Sequence, residues 1–134
     1  NQAIFNLGAA YKNWAVHLQD SVRKAAGTKP PSKAQEEVYM VKLRESQKQF
    51  EELRRLKGAS VDFSLLFELA NLYQVLRDEP KMKGVLKALE EMAGSEGDKS
   101  SYWDAMDRLY ANIGDGEKAE AAHRKADALR AQGK

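Results

Sequence analysis

The two histidines are the side chains best suited to metal binding or proton transfer, and they stand far apart in the sequence. His17 and His123 lie in opposite halves of the chain, and neither has a second histidine one helical turn away. Zinc and iron sites need three or four converging ligands, commonly with histidines at that spacing. We therefore expect no metal site and no cofactor, with each histidine either partly buried or at the surface.

The acidic and glycine-rich segments offer no better catalytic group. Adjacent glutamates occur at 36–37, 51–52 and 90–91. Neighbouring residues point to different sides of a helix, so we expect solvated faces and not acid–base pairs. The segment from Gly94 to Ser100 has the glycines of a phosphate-binding loop but lacks its spacing and a preceding strand. Without cysteine the chain has no thiol nucleophile or disulfide. We predict that it is not an enzyme.

Charge is distributed unevenly along the chain. Residues 1–57 contain 11 Lys and Arg against 6 Asp and Glu, whereas residues 58–134 contain 11 against 14. A basic half could attract nucleic acid or an acidic partner. The residues that favour this alternative are Lys42, Arg44, Lys48, Arg54, Arg55 and Lys57. Glutamates interrupt them, so we interpret the segment as a solvated helix face and keep nucleic-acid binding as the alternative.

Between its glycine and proline clusters the chain shows the three- and four-residue spacing of amphipathic helices. Breaks at 27–31, 58, 94–98 and 114–116 predict about six helices joined by short turns, and therefore an all-α fold. The expected helix caps are Ser32, Ser60, Asp78 and Asp115, with Ser100 or Ser101 starting the fifth helix. The first helix carries the apolar stripe Ile4, Leu7, Gly8, Tyr11, Trp14, Ala15, Leu18 and Val22, and Val38 and Val41 open that of the second. We expect Trp14, Trp103 and the tyrosines at 11, 73 and 110 to be core residues.

Small and aromatic residues recur in phase along the chain. One series is Trp103, Met106, Asp107, Tyr110, Gly114, Ala119, His123 and Ala126. Leu66, Leu69, Ala70 and Tyr73 repeat its opening 37 residues earlier, and Ile4, Leu7, Gly8 and Tyr11 repeat it again. This pattern resembles the tetratricopeptide repeat, a two-helix unit of about 34 residues. Asp107 and His123 depart from it, at its small-residue and aromatic positions. The resemblance implies a right-handed stack of antiparallel helical hairpins, with an elongated first hairpin at 1–57 and repeats at 61–94 and 99–133.

The resemblance also implies a groove, formed by the first helix of each hairpin, in which such modules bind a peptide or helix of a partner protein. The partner-binding residues on this mapping are Phe5, Ala9, Lys12, Ser64, Phe67, Asn71, Gln74, Asp104, Arg108 and Ala111. Asn71 and Arg108 match positions that hold a C-terminal carboxylate in the chaperone-binding subclass, but Phe5, Ala9 and Asp104 replace the rest of that clamp. An amphipathic helix or extended segment suits this mixed groove better. The predicted function is a non-catalytic scaffold or adaptor.

Three further expectations concern the setting of the chain. Its apolar stretches are far shorter than the ~20 residues that cross a bilayer, so we expect no membrane insertion by this segment. A helical pattern begins at once after Asn1, so we expect a longer parent protein. The lack of cysteine fits a reducing compartment such as the cytoplasm, although periplasmic domains without cysteine are also common. Self-association through the elongated first hairpin is a further alternative.

Overall fold

The computed structural model describes residues 2–134, of which 84% are helical and none lies in a strand. The all-α prediction is therefore confirmed. The seven α-helices are α1 (Gln2–Ala26), α2 (Lys33–Lys57), α3 (Phe63–Val75), α4 (Glu79–Glu91), α5 (Ala93–Glu96), α6 (Ser100–Asn112) and α7 (Gly116–Ala131). A single 3-10 turn, Gly58–Ser60, follows α2. Within residues 2–134, no helix combines the length and apolar character needed to cross a membrane.

Local side-chain chemistry explains where the first two helices end and begin. α1 stops before Gly27, whose φ of 66° suits a glycine, and two prolines follow within the next four residues. α2 begins with the expected capping box. The Ser32 hydroxyl accepts the Gln35 N–H at 3.2 Å, and the Gln35 side chain accepts the Ser32 N–H at 2.8 Å. Two donors at the helix start are thereby satisfied.

The cap of α3 differs from the prediction. Ser60 belongs to the 3-10 turn, and it is Asp62 that accepts the Leu65 N–H, at 3.0 Å. Asp62 immediately precedes the first residue of α3, which is the position from which a short acidic side chain reaches the third backbone N–H of a helix. Ser60 and Asp62 are both residue types that cap helices, and they lie two positions apart. The prediction that Ser60 caps this helix was wrong.

Helices α1 and α2 form an antiparallel hairpin with a closely packed centre. The rings of Phe5 and Phe50 meet edge to face at 5.4 Å, and the Ser46 hydroxyl donates to the Gly8 carbonyl at 2.7 Å. A Cβ atom on Gly8 would lie 2.9 Å from the Phe50 ring, which is fully buried. The absence of a side chain at Gly8 therefore allows the phenyl ring to pack against the α1 backbone.

Much of the predicted apolar stripe of this hairpin faces solvent. Leu7 and Trp14 of α1 are 44% and 51% exposed, and Val38 and Val41 of α2 are 49% and 47% exposed. The expectation that Trp14 lies in the core was wrong, because the buried line of α1 is narrow and follows only Gly8, Ala15 and Val22. The Trp14 ring is instead covered on one side by Lys42, whose Nζ lies 3.9 Å from the ring centroid.

The chain forms two compact units. One contains the residues up to Val61 together with Val75–Arg77, and the other contains Asp62–Gln74 and Asp78–Lys134. Within the second unit α6 and α7 pack antiparallel. Helices α3 and α6 run in the same direction, because they meet near both ends at equivalent positions. The Phe63 and Tyr102 rings lie 6.1 Å apart, and the Gln74 amide donates to the Asn112 carbonyl at 2.9 Å.

Two turns, at 73–81 and 110–118, lie 37 positions apart in the sequence and have the same hydrogen bonds. In each, the aspartate N–H donates to the tyrosine carbonyl at 2.9 Å, and the aspartate side chain accepts the lysine N–H, at 3.2 and 3.1 Å. The lysine Nζ then lies 5.7 and 5.6 Å from the tyrosine ring. Asp78 and Asp115 thus cap α4 and α7 as predicted. The sequence repetition is also a repetition of local structure.

Helix α5 occupies a segment that was predicted to be a loop. The N–H groups of Ser95 and Glu96 donate to the Met92 carbonyl at 3.1 and 2.8 Å, so the turn continues directly from α4. The Trp103 indole N–H donates to the Gly97 carbonyl at 2.8 Å and fixes the end of α5 against α6. Trp103 is therefore partly buried at this junction.

Candidate functional site

Most of the predicted partner-binding residues lie on two neighbouring helices. Seven of the predicted residues lie on α3 and α6, and we call them the α3–α6 face: Ser64, Phe67, Asn71, Gln74, Asp104, Arg108 and Ala111. The members from α6 stand 37 positions after members of α3, the same interval that separates the two repeated turns. Because α3 and α6 are parallel and in contact at both ends, equivalent positions lie side by side.

The three predicted residues on α1 belong to the other compact unit. Phe5 is partly buried, and its ring packs on Phe50, so it contributes to the α1–α2 core. Ala9 and Lys12 are also partly buried. These residues were predicted to line the groove from their positions in the repeat pattern. In the structure, the Phe5 ring packs against Phe50.

Exposure and charge differ along the α3–α6 face. Asn71 and Arg108 are exposed, and Phe67 is partly exposed next to Phe63, whose ring meets it edge to face at 5.8 Å. Arg108 forms no ion pair with any residue in the range 2–134. Asp104, by contrast, accepts two hydrogen bonds from Arg130, at 2.7 and 2.8 Å. Within residues 2–134, the face therefore offers the guanidinium of Arg108, the exposed amide of Asn71 and the partly exposed ring of Phe67.

A network of polar side chains, formed by His123 with two aspartates and Arg130, lies between α6 and α7. His123 stands 3.3 Å from Asp107 through Nδ1 and 3.3 Å from Asp127 through Nε2. The hydrogen bond from Arg130 lowers the pKa of Asp127 below its ordinary value, and His123 acts in the same direction. No three His, Asp or Glu side chains within residues 2–134 are arranged to hold a metal ion. The network joins the two helices at their surface.

A concave site that the sequence did not predict lies in the same compact unit as the α3–α6 face. We call this cleft of about 260 Å³ the aromatic cleft. Its apolar lining comes from Tyr102, Trp103, Met106 and Tyr110 of α6, with Ala121 and Ala122 of α7 and Ala93 of α5. Three charged residues complete it, Glu90 of α4 and Lys118 and Lys125 of α7. None of the ten predicted groove residues is among them.

Buried tyrosines organise the inner part of the aromatic cleft. The fully buried Tyr102 donates its hydroxyl to the Leu89 carbonyl at 2.6 Å, and Tyr110 donates to Glu90 Oε2 at 2.8 Å. Burial raises the pKa of both hydroxyls, and for Tyr110 the hydrogen bond to Glu90 adds to the increase. Both tyrosines are therefore neutral donors at physiological pH, and they connect α6 to the end of α4.

The sequence contained a signal for part of this cleft. Tyr102, Met106 and Leu109 follow helical spacing and are all buried, but the repeat pattern directed attention to Trp103 instead. Glu90 and Lys118 had no such signal, because they are 28 positions apart in the sequence and meet only in the folded chain, where Lys118 Nζ lies 3.5 Å from Glu90 Oε2. Tertiary structure, and not local pattern, creates the charged rim.

In comparisons with protein-family models, with curated proteins and with solved structures, nothing matched this chain.

Proposed function

We propose that the chain is a non-catalytic protein-binding module of the tetratricopeptide-like helical-repeat type, which binds a peptide or helix of a partner protein on the α3–α6 face. The observation that supports this most directly is the parallel contact of α3 with α6, at equivalent positions near both ends. Successive repeats that add side by side in this way create an extended surface in place of a closed catalytic pocket.

The repeated turns support the same proposal. They place α4 after α3 and α7 after α6 with matching hydrogen bonds, so each pair starts from the same local geometry. A hairpin unit of this kind cannot bury its apolar face alone and is stabilised by its neighbour in a stack.

The side chains of the α3–α6 face indicate the kind of partner. Phe67 offers a partly exposed ring, and Asn71 can both donate and accept hydrogen bonds. Arg108 is an exposed guanidinium without an ion-pair partner in the described range. Aromatic and arginine side chains contribute most of the binding energy in many protein interfaces. An amphipathic helix or extended segment that presents an apolar side chain and a carboxylate one or two turns apart would complement these groups.

The proposal is tested with a peptide library displayed on phage and selected against the intact chain. We expect enriched peptides to bind the wild-type chain and to lose binding to the double variant Phe67→Ala, Arg108→Glu. Removal of one central aromatic anchor typically weakens binding by about tenfold or more, and reversal of the cationic charge adds to that loss. Fluorescence anisotropy with the enriched peptides gives the affinities.

A matched double variant controls for general effects. Leu56→Ala with Lys87→Glu makes the same kinds of change at exposed positions outside the face, and it should leave peptide binding unchanged. Circular dichroism should show equal helix content for all three proteins. Enriched peptides that bind the Phe67→Ala, Arg108→Glu variant as tightly as the wild type would show that the α3–α6 face is not the binding surface.

A further inference from the structure

The aromatic cleft has the size and lining of a receptacle for one side chain. Its volume of about 260 Å³ lies just below the range of about 300–1,000 Å³ that is typical of small-molecule sites. Met106 and Tyr102 are almost fully buried beneath it, and the alanines at 121 and 122 leave room where larger residues of α7 would fill the space. Transfer of an apolar side chain from water into this hollow is favourable.

The rim of the aromatic cleft is positively charged. Lys118 and Lys125 both line it, and they stand two helical turns apart on α7. Glu90 already has two partners. It accepts a hydrogen bond from the Tyr110 hydroxyl, and its Oε2 lies 3.5 Å from Lys118 Nζ. Lys125 has no ion-pair partner among residues 2–134, and its Nζ rests 4.2 Å from the Trp103 ring centroid. One ammonium group at the rim is thus free to meet a carboxylate.

We propose that the aromatic cleft is a second protein-binding site, which takes a bulky aliphatic or aromatic side chain from an acidic segment of a partner protein. The apolar side chain enters the hollow against Trp103 and Ala121, and a neighbouring carboxylate pairs with Lys125. Charge complementarity selects an acidic segment, because Glu90, the carboxylate among the described lining residues, is already engaged.

This site is independent of the proposed groove. The aromatic cleft is lined by α4, α5, α6 and α7 and contains none of the residues of the α3–α6 face. Phe67→Ala with Arg108→Glu should therefore leave binding to the cleft intact. The two proposals can fail separately.

Trp103 provides a direct reporter of binding. The chain has two tryptophans, and Trp14→Phe leaves Trp103 as the only one. The probe is a short synthetic peptide with a central leucine flanked by glutamates. We expect its titration to produce a saturable change in Trp103 emission. Replacement of the peptide leucine by serine should abolish the change, and replacement of its glutamates by lysine should abolish or strongly weaken it.

Two variants, both made in the Trp14→Phe background, test the two halves of the recognition. Ala121 is exposed, so Ala121→Leu fills the hollow without disturbing the core and should remove the Trp103 response. Lys125→Glu should weaken binding by about fivefold, as expected for the loss of an exposed ion pair. Lys83→Glu makes the same charge change on α4 outside the cleft and should bind like the parent.

Several results would overturn the proposal. They are the absence of a saturable Trp103 response at millimolar peptide, a response that persists unchanged in Ala121→Leu, and equal binding of the acidic and the lysine-substituted peptide. Circular dichroism of each variant separates loss of binding from loss of fold.

Discussion

At the scale of single residues, Gly8 determines how closely the two long helices approach. An alanine Cβ at this position would lie 2.9 Å from the ring of Phe50, which is buried and held by Phe5. Overpacking a core costs about 1–3 kcal/mol, which exceeds the gain of about 1 kcal/mol from replacing a helical glycine with alanine. We predict that Gly8→Ala lowers the free energy of unfolding by about 1 kcal/mol, measured by urea denaturation.

Gly84 provides the matched control for this substitution. It also lies inside a helix, but a Cβ there would have no neighbour within 4 Å. Gly84→Ala should raise the free energy of unfolding by about 0.5–1 kcal/mol, because only the helix preference of alanine contributes. If both substitutions stabilised the protein equally, the close contact between Gly8 and Phe50 would be absent in solution.

At the scale of elements, the two repeated turns differ in one residue that matters for the backbone. Arg77 and Gly114 occupy equivalent positions before the capping aspartates, with φ of 59° and 84°. The left-handed backbone conformation costs a residue with a side chain about 1–2 kcal/mol, whereas glycine adopts this conformation without that cost. The turn at 73–81 is therefore strained relative to the turn at 110–118.

The reciprocal exchange tests this difference. We predict that Arg77→Gly raises the free energy of unfolding by about 0.5–1 kcal/mol, the relief of strain less the extra chain entropy of glycine. Gly114→Arg should lower it by about 1 kcal/mol through the backbone alone, because nothing lies within 4 Å of a Cβ at Gly114. Urea denaturation of both variants decides the point. Shifts of the same sign would mean that side-chain contacts, and not the backbone angle, control these turns.

At the scale of the whole molecule, two of the arginines in the basic first half are engaged in ion pairs with glutamates. Arg44 makes two hydrogen bonds to Glu37 at 2.9 and 3.0 Å, and Arg55 makes two to Glu52 at 2.6 and 2.9 Å. These four side chains therefore supply no net charge to a phosphate track. Salt dependence of nucleic-acid binding reports the number of cations that contact phosphates.

We predict that the chain shows no salt-sensitive binding to double-stranded DNA in fluorescence anisotropy. Glu37→Gln with Glu52→Gln releases Arg44 and Arg55, and this variant should bind measurably better at low salt. Each new phosphate contact should steepen the salt dependence by about one unit of slope. Strong salt-dependent binding by the wild-type chain would instead favour nucleic acid as its partner.

Features that depend on neighbouring residues in the chain could be predicted from the sequence. The capping box of Ser32 and the caps of Asp78 and Asp115 were predicted because a cap involves residues only three positions apart. The exposure of Trp14 was not predictable from the sequence, because its helical spacing fits a core position. Trp14 is exposed because the buried face of α1 is narrow and contains only Gly8, Ala15 and Val22. The aromatic cleft was not predictable either, since Glu90, Tyr110 and Lys118 meet only through folding.

The matching turns at 73–81 and 110–118 have a consequence for how such a chain could grow. A copy of residues 74–110 inserted after Tyr110 would place a tyrosine carbonyl, a capping aspartate and a lysine at both of its junctions in their native order. Tandem duplication of this segment would thus lengthen the protein while both junctions kept the residues that form the native turn hydrogen bonds. The second compact unit already contains the connector that a longer array would need.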